Sequence, residues 1–214
     1  MTDAPFDLTV TDELLTTTRA VRKRLDLERP VEREVLLDCI DIAQQAPTGG
    51  NRQKWHWIVV TDADKRRELG AIYQDASAEY LANPPAEAPN LDPKQQERVR
   101  SSSRYLRDVM PDVPALVVPC AEGDPLQMPL AGQASYYGSI IPAVWSFMLA
   151  LRSRGLGSCY TTLHLNQAQR ASELLGIPDG VTQVALLPVA YTKGTDFKPV
   201  KRPPVEQIVS FDTW

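Results

Sequence analysis

The sequence predicts one α/β domain in which helices and strands alternate along all 214 residues. Segments with apolar residues at helical spacing alternate with short β-branched runs, and they interleave too closely to form separate domains. With 43% hydrophobic residues, the chain has enough apolar side chains to bury a substantial core. We therefore expect a single domain from residue 1 to residue 214.

The first half of the chain predicts two helices and one strand. Apolar residues follow a stripe with a period of 3.6 through residues 32–46, between two prolines, which predicts an amphipathic helix. The run of aromatic and β-branched residues at 56–61 predicts a buried strand. Asp62 or Asp64 can cap the helix that follows through residues 65–81.

Residues 82–93, ANPPAEAPNLDP, are rich in proline and show no periodicity. Such a segment has no face to bury against a core, so it predicts an exposed connection between two helices. We consider it a possible lid over a binding site.

The middle of the chain predicts a helix at 94–110, a short strand at 115–120 and a long helix at 131–154. The long helix is apolar on more than one face, which is typical of a helix at the centre of a fold or in a subunit interface. We expect Pro142 to bend it and Gly155 to end it.

The last part of the chain predicts a short extended segment at 157–162, a helix at 167–176 and a strand at 181–192. Asn166 precedes that helix and is a suitable N-cap. Residues 193–214 form a basic, proline-rich tail.

Charge and composition argue against several classes of protein. The 23 basic and 27 acidic residues give a formal net charge of -4, which does not favour nucleic acid as a partner. No run reaches the ~20 apolar residues of a membrane helix and no signal peptide is recognisable, so we expect a cytoplasmic protein without a membrane partner. Three separated cysteines and two histidines show no metal-ligand spacing, so we expect reduced thiols and no metal.

Common enzyme motifs are missing or misplaced in this sequence. There is no GxSxG motif, and the two histidines belong to no obvious catalytic triad. The segment GLGSCY at 155–160 lacks the third glycine of a dinucleotide fingerprint and follows a helix instead of a strand. We therefore reject a Rossmann-type site.

Two groups of basic residues lie near opposite ends of the chain. Arg19, Arg22, Lys23 and Arg24 lie within six residues, and guanidinium groups bind phosphate oxygens in a bidentate manner. The alternative is a solvated basic surface, which from charge alone is the commoner case. The second group, in the tail, contains Lys198, Lys201 and Arg202.

The segment QQAPTGGNRQKWHWIVV at 44–60 places small and amide residues between a helix and a strand. Gly49 and Gly50 allow a ligand to approach the backbone, while Thr48, Asn51 and Gln53 offer polar side chains. A turn between two elements also needs such residues, so structure alone is an equally good explanation.

Four motifs, taken together, resemble those of the FMN-dependent nitroreductase family along almost the entire chain. They are, in order, TRAVRKRLD, APTGGNRQKW, RGLGSCYTT and KGTDFKPVKRPP. The resemblance implies an α+β fold, an α/β/α three-layer sandwich around a mainly antiparallel mixed sheet. It also implies an intertwined homodimer with two FMN sites at the subunit interface.

The resemblance assigns roles to particular residues of this chain. It implies that both basic groups meet at the FMN phosphate, that the 47–53 turn comes from the other subunit, and that a backbone N–H of Gly157 or Ser158 faces flavin N5. No side-chain acid is required, because flavin N5 carries the chemistry. The implied cofactor-binding residues are Arg19, Arg22, Lys23, Pro47, Thr48, Gly49, Asn51, Gln53, Gly157, Ser158, Lys201 and Arg202.

The activity implied by the resemblance is ping-pong transfer of hydride from NADPH or NADH, through FMN, to a small electron-poor acceptor such as a nitroaromatic or a quinone. Two alternatives stay open. One is a family member with other flavin chemistry, such as dehalogenation, flavin cleavage or enone reduction. The other is a flavin-binding protein without turnover, used for storage or sensing.

Overall fold

A five-stranded antiparallel sheet lies between two helical layers in the computed structural model, which describes residues 5–83 and 92–214. The strand order is β1-β2-β5-β3, and β4 pairs with the end of β2. This arrangement confirms the predicted three-layer α+β class, and every strand pairing within the described ranges is antiparallel. The strands are β1 (Trp55–Val60), β2 (Ala115–Glu122), β3 (Leu156–Ser158), β4 (Val181–Gln183) and β5 (Leu187–Tyr191).

Six α-helices surround the sheet in the described part of the chain. Asp62, not Asp64, caps the third helix, because its carboxylate accepts hydrogen bonds from the backbone N–H groups of Asp64 (3.1 Å) and Lys65 (2.9 Å). The helices are α1 (Leu8–Thr17), α2 (Arg33–Ala43), α3 (Ala63–Ala82), α4 (Pro93–Val109), α5 (Leu130–Ser153) and α6 (Ala168–Leu175).

The two faces of the sheet bury separate hydrophobic cores. On the central strand β2, Ala115 and Val117 face the core with α2 and α5, whereas Leu116 and Val118 face the core with α3, α4 and α6. This alternation is the period of two expected for a strand covered on both faces.

Helix α5 is the spine of the first core. Phe147 and Leu151 are fully buried, and the helix packs along α2 and contacts β2 and β3. It continues through Pro142, and Gly155 follows its end with a φ of 78°. Within the described ranges α5 is also the one helix that is long and apolar enough to cross a membrane, a property that core helices of soluble proteins share.

Some predicted boundaries are wrong. The helix predicted at 32–46 ends at Ala43, because Gln44 and the two residues after it form turns before Pro47. Helix α1 is not predicted, although Asp7 caps it with a carboxylate 2.8 Å from the Thr9 backbone nitrogen.

Two predictions in the last third of the chain are also wrong. Asn166 does not cap a helix, because its side-chain amide donates to the Ala76 carbonyl of α3 at 3.1 Å and α6 begins only at Ala168. The strand predicted at 181–192 is divided into β4 and β5. Between them the Leu186 backbone N–H turns to the Thr161 carbonyl at 2.8 Å.

The possible lid at 82–93 falls mostly on residues 84–91, which lie outside the described residues. Only its two ends are described. Asn83 caps the end of α3, and Asp92 caps α4 by accepting the Lys94 backbone N–H at 3.0 Å.

The burial of His164 predicts that the protein becomes less stable in acid. It is fully buried in a turn against α3, and burial lowers its pKa from 6.5 to about 4. The folded chain therefore binds fewer protons than the unfolded chain between these values. The free energy of unfolding should fall by roughly 3 kcal/mol as the pH drops from 6.5 to 4.

Urea titrations between pH 4 and pH 7 measure this effect. His164→Leu should flatten the dependence of the unfolding free energy on pH, whereas the control His56→Gln, at an exposed position of β1, should not. If wild type and His164→Leu show the same slope, His164 is not the group responsible.

Candidate functional site

The arginine loop, residues 19–24, runs beside the edge strand β3. The Val21 backbone N–H donates to the Ser158 carbonyl at 2.8 Å, and Leu25 forms an isolated bridge to Thr192. Gly157 permits this approach, because a Cβ there would lie 2.9 Å from Val21 Cβ and 2.7 Å from Thr192 Cγ2. The loop is thus positioned by close backbone packing against β3.

Gly157→Ala should therefore disturb both the sheet and the loop. We expect a loss of about 1–3 kcal/mol in the free energy of unfolding, the usual effect of overpacking. Thr192→Ser removes the methyl group that a Cβ at position 157 would meet first, so the double variant should recover part of the loss. Thermal unfolding measures the stabilities of Gly157→Ala and of the double variant Gly157→Ala/Thr192→Ser. Equal stabilities of these two variants would exclude the contact with Thr192 as the cause of the loss.

Three arginines hold the start of the tail against the arginine loop. A terminal amino group of Arg19 donates to the Lys198 carbonyl, Arg24 Nε donates to the Lys193 carbonyl at 2.9 Å, and Arg152 Nη2 donates to the Thr195 carbonyl at 3.1 Å. The guanidinium groups of Arg24 and Arg152 lie 4.2 and 4.8 Å from the centre of one aromatic ring, that of Phe197.

These contacts bring the two basic groups predicted near opposite ends of the chain close together. Arg19 touches Lys198, and Lys201 and Arg202 follow within four residues, both exposed. Arg152 was not among the predicted site residues. A basic residue in the last turn of a helix is common, because it interacts favourably with the helix dipole, so only the fold shows that Arg152 faces the tail.

Two buried nitrogens beside the tail indicate a missing acceptor. Arg19 Nε and Arg152 Nε are both buried and have no hydrogen-bond partner among the described residues. An unsatisfied donor of this kind costs about 1–3 kcal/mol, and a phosphate group provides several acceptor oxygens and a compensating charge. The residues present therefore fit an anionic ligand at this place.

Arg22 and Lys23 point away from the tail, towards helix α4. Arg22 Nη1 is 3.4 Å from Ser102 Oγ, and Lys23 Nζ donates to Ser101 Oγ at 2.7 Å. Burial raises the pKa of the Cys159 thiol, against the lowering effect of the neighbouring Arg22 guanidinium. The four cations of the loop are thus divided between its two sides.

The 47–53 turn adopts a backbone that is unusual for side-chain-bearing residues. Gly50, Asn51 and Gln53 all have positive φ, at 62°, 53° and 48°. The Gln53 backbone N–H donates to Thr48 Oγ1 at 3.1 Å, and the Gln53 amide donates to Asn51 Oδ1 at 3.0 Å. These bonds hold the turn in one conformation, and such over-determined strain is typical of ligand-binding segments.

A cavity of about 480 Å³ opens beside this turn. Gly49 donates its backbone N–H to Ser139 Oγ on α5 at 2.9 Å, and a Cβ on Gly49 would lie 2.5 Å from Ser135 Oγ. The cavity is also lined by Glu122, which pairs with Lys54 at 2.9 Å, and by Tyr136, whose hydroxyl donates to the Ala121 carbonyl at 2.9 Å. The sequence indicated the turn. It did not indicate the serine, glutamate and tyrosine residues that lie beside it, because these residue types are common in helices and strands.

Within one chain, the turn and the arginine loop lie far apart. The turn leads into β1 and the loop packs on β3, which are opposite ends of the four-strand path, about 14 Å apart at the spacing of neighbouring strands. Along α5, Ser139 beside the turn and Arg152 beside the tail are separated by about 20 Å at the rise of an α-helix. The structure therefore unites Arg19 with the tail and β3, but not with the 47–53 turn.

No arrangement in the described ranges suggests a metal centre. Among residues 5–83 and 92–214, no group of three or more His, Cys, Asp or Glu side chains is placed to hold an ion. The three cysteines are buried, and burial raises the pKa of Cys39 to about 11 and that of Cys120 to about 12.

Comparison with known proteins decides the family. Residues 15–191 match the nitroreductase family. The matched range includes the arginine loop, the 47–53 turn and the whole sheet. The chain belongs to the nitroreductase family. This membership supports a flavin-dependent oxidoreductase in general terms.

Individual family relatives are distant in sequence. Iodotyrosine deiodinase 1 of Rattus norvegicus is 26% identical over 200 residues, which cover 92% of this chain and 67% of the deiodinase. An iodotyrosine deiodinase structure bound to FMN and 3-iodo-L-tyrosine superposes with a TM-score of 0.70 at 23% identity, over 95% of this chain and 99% of that one. The FMN and NADPH-dependent nitroreductase NfnB from sphigopyxis sp. strain HMH gives 0.64 at 21% identity, over 95% and 99%.

Proposed function

We propose that this chain is an FMN-dependent oxidoreductase that works as a homodimer and uses NADPH or NADH to reduce small electron-poor acceptors such as nitroaromatics and quinones. The observation that carries the proposal is the pair of unsatisfied guanidinium nitrogens of Arg19 and Arg152, beside a tail that delivers two further cations. Membership of the nitroreductase family supports FMN as the anionic ligand that this site would hold.

The separation of the two half-sites supports the dimer. If each chain offers its arginine loop to one FMN and its 47–53 turn to another, neither half needs to span its own sheet. Several large apolar side chains are exposed on α2, α5 and the tail, and a second subunit that covered them would remove this apolar surface from water. They include Leu37, Ile42, Ile141, Trp145, Ile208, Phe211 and Trp214.

Light scattering tests the dimer directly. We expect a mass twice that of the 23.8 kDa chain, unchanged on dilution to low micromolar concentration. Removal of the apolar tail residues, by the substitutions Phe211→Ser and Trp214→Ser, should shift the mass towards the monomer. A wild-type mass of 23.8 kDa would contradict the proposal.

Each group of residues has a part in holding the cofactor. Arg19, Lys201 and Arg202 would bind the phosphate, and Arg152 would supply an additional donor. The backbone N–H of Gly157 or Ser158 would face the flavin ring from the same chain. Pro47, Thr48, Gly49, Asn51 and Gln53 would contact the ring and ribityl chain of the FMN held mainly by the partner subunit.

When bound, FMN supplies the capacity to accept hydride from a nicotinamide and to pass two electrons to an acceptor. The chain's own contribution is to bind and orient. The preformed 47–53 turn requires no reordering when a planar ring arrives, and the 480 Å³ cavity beside it is large enough for a small aromatic molecule. Protons would come from solvent, since no side-chain acid is required.

The test measures the visible absorption spectrum of the protein and the reduction of its bound flavin. The protein should purify yellow, and NADPH or NADH added without oxygen should bleach the flavin absorbance. Initial rates with a nitroaromatic or a quinone should give parallel lines in double-reciprocal plots, because donor and acceptor use one face in turn. A flavin that neither nucleotide bleaches would favour a non-catalytic flavin-binding protein.

Reductive dehalogenation is the second candidate. It is favoured by the 26% identity to an iodotyrosine deiodinase over 92% of this chain. Turnover of 3-iodotyrosine by the chemically reduced protein, compared with turnover of a nitroaromatic, separates the two activities.

A further inference from the structure

We propose that Lys23, Lys94, Arg98 and Ser101 form a second anion site, which binds the anionic substituent of the molecule that exchanges electrons with the flavin. The inference rests on the proposed function, since it concerns that molecule. The substituent is a phosphomonoester if the ligand is the nicotinamide donor, and a carboxylate if it is the acceptor. Both are compact anions with several acceptor oxygens, and the four side chains offer matching donors.

The four residues converge on one concavity. A cavity of about 580 Å³ between the arginine loop and α4 is lined by them and by Glu97. Lys94, Arg98 and Ser101 follow one another at spacings of four and three residues, so they lie on one face of α4. Lys23 reaches this face from the loop and donates to Ser101 Oγ at 2.7 Å.

The charge of this concavity is not balanced by its own carboxylates. Glu97 is its one acidic lining residue among those described, and its Oε1 is 2.8 Å from Arg104 Nη2. Within residues 5–83 and 92–214, neither Lys94 nor Arg98 forms an ion pair with a carboxylate. The site is therefore positive, and it lies at the N-terminal end of α4, where the helix dipole adds to the attraction of an anion.

The position beside the arginine loop connects this site to the flavin. Arg19 and Arg24 face the tail, whereas Arg22 and Lys23 face α4, so the loop has an anion-binding group on each side. One FMN phosphate needs only the tail side, where the unsatisfied nitrogens of Arg19 and Arg152 lie. Lys23 is thereby moved from the predicted FMN phosphate site to a neighbouring site for the second molecule.

The experiment uses the FMN-loaded protein and the charge-reversed variant Lys94→Glu/Arg98→Glu. The control is Lys65→Glu, which reverses a charge on the far end of α3. Calorimetry measures binding of adenosine 2′-monophosphate against adenosine, and perturbation of the flavin spectrum measures binding of benzoate against benzyl alcohol. Kinetics compare NADPH with NADH, and 4-nitrobenzoate with nitrobenzene.

The double variant should lose about tenfold in affinity for the anionic member of one pair and little for its uncharged or less charged partner, with the loss larger at low salt. Loss for adenosine 2′-monophosphate and NADPH assigns the site to the donor, and loss for benzoate and 4-nitrobenzoate assigns it to the acceptor. If the affinity ratio within each ligand pair stays within about twofold of the wild-type ratio, the inference is wrong. FMN content is expected to be equal in all variants, so a protein that holds no FMN overturns the proposed function instead.

Discussion

Arg19→Ala is expected to weaken FMN binding by roughly 1.5–3 kcal/mol, or about 10- to 150-fold in dissociation constant, because it removes charge-assisted hydrogen bonds to the phosphate. Arg202→Ala should have an effect of the same size. Both losses should depend on salt, since the tail that carries Arg202 is exposed. Flavin fluorescence titration of the apoprotein measures the dissociation constants.

Arg19 also holds the tail through the Lys198 carbonyl, so its removal has a structural side. Arg19→Lys separates the two effects, because lysine keeps the charge but lacks the planar fork. We expect its FMN affinity to lie between those of wild type and Arg19→Ala. Arg170→Ala, which removes an exposed ion pair between α6 and Asp75 of α3, is the matched control. Unchanged affinity in both the Arg19→Ala and Arg202→Ala variants would refute the phosphate assignment.

The elements with strong periodicity were predictable from the sequence. Helices α3 and α5 and strands β1 and β2 appear where the apolar spacing and the flanking proline, glycine and aspartate residues place them. Their local preference and their tertiary role agree, since the buried apolar side chains of both helices pack against the sheet. The three-layer arrangement itself came from the family resemblance.

Other elements depend on tertiary contacts that no local pattern reveals. Asn166 has the side chain of a good N-cap, but its amide satisfies the Ala76 carbonyl of α3. The division between β4 and β5 arises because Leu186 bonds to Thr161, which lies 25 residues earlier in the chain. Such long-range competition for backbone groups cannot be read from a propensity.

The candidate site was only partly predictable for the same reason. Arg19 and the 47–53 turn carry residue types that suggest their chemistry, so the sequence indicated them. Arg152, Ser135 and Ser139 are ordinary helix residues until the fold sets them against the tail and the turn. The orientation of Lys23 towards α4 likewise depends on the serine that receives its hydrogen bond.

The second large effect on FMN binding is expected in mixed dimers, which test whether each FMN site is built from two subunits. Gly49→Val should weaken FMN binding strongly, because its side chain meets Ser135 Oγ and occupies the surface expected to contact the ring. Arg19→Ala should also weaken it, from the other half-site. A dimer with one chain of each kind would contain one site with both lesions and one site with neither, if each site takes its arginines and its turn from different subunits.

The decisive measurement is the FMN content and affinity of that mixed dimer, prepared by co-expression with two different tags and purification on both. We predict half the FMN capacity of the wild-type dimer, bound with wild-type affinity, while each parent homodimer binds FMN weakly at both sites. If the arginine loop and the turn served the same site within one chain, every site in the mixed dimer would carry a single lesion. Weak binding at all sites of the mixed dimer would therefore contradict the account.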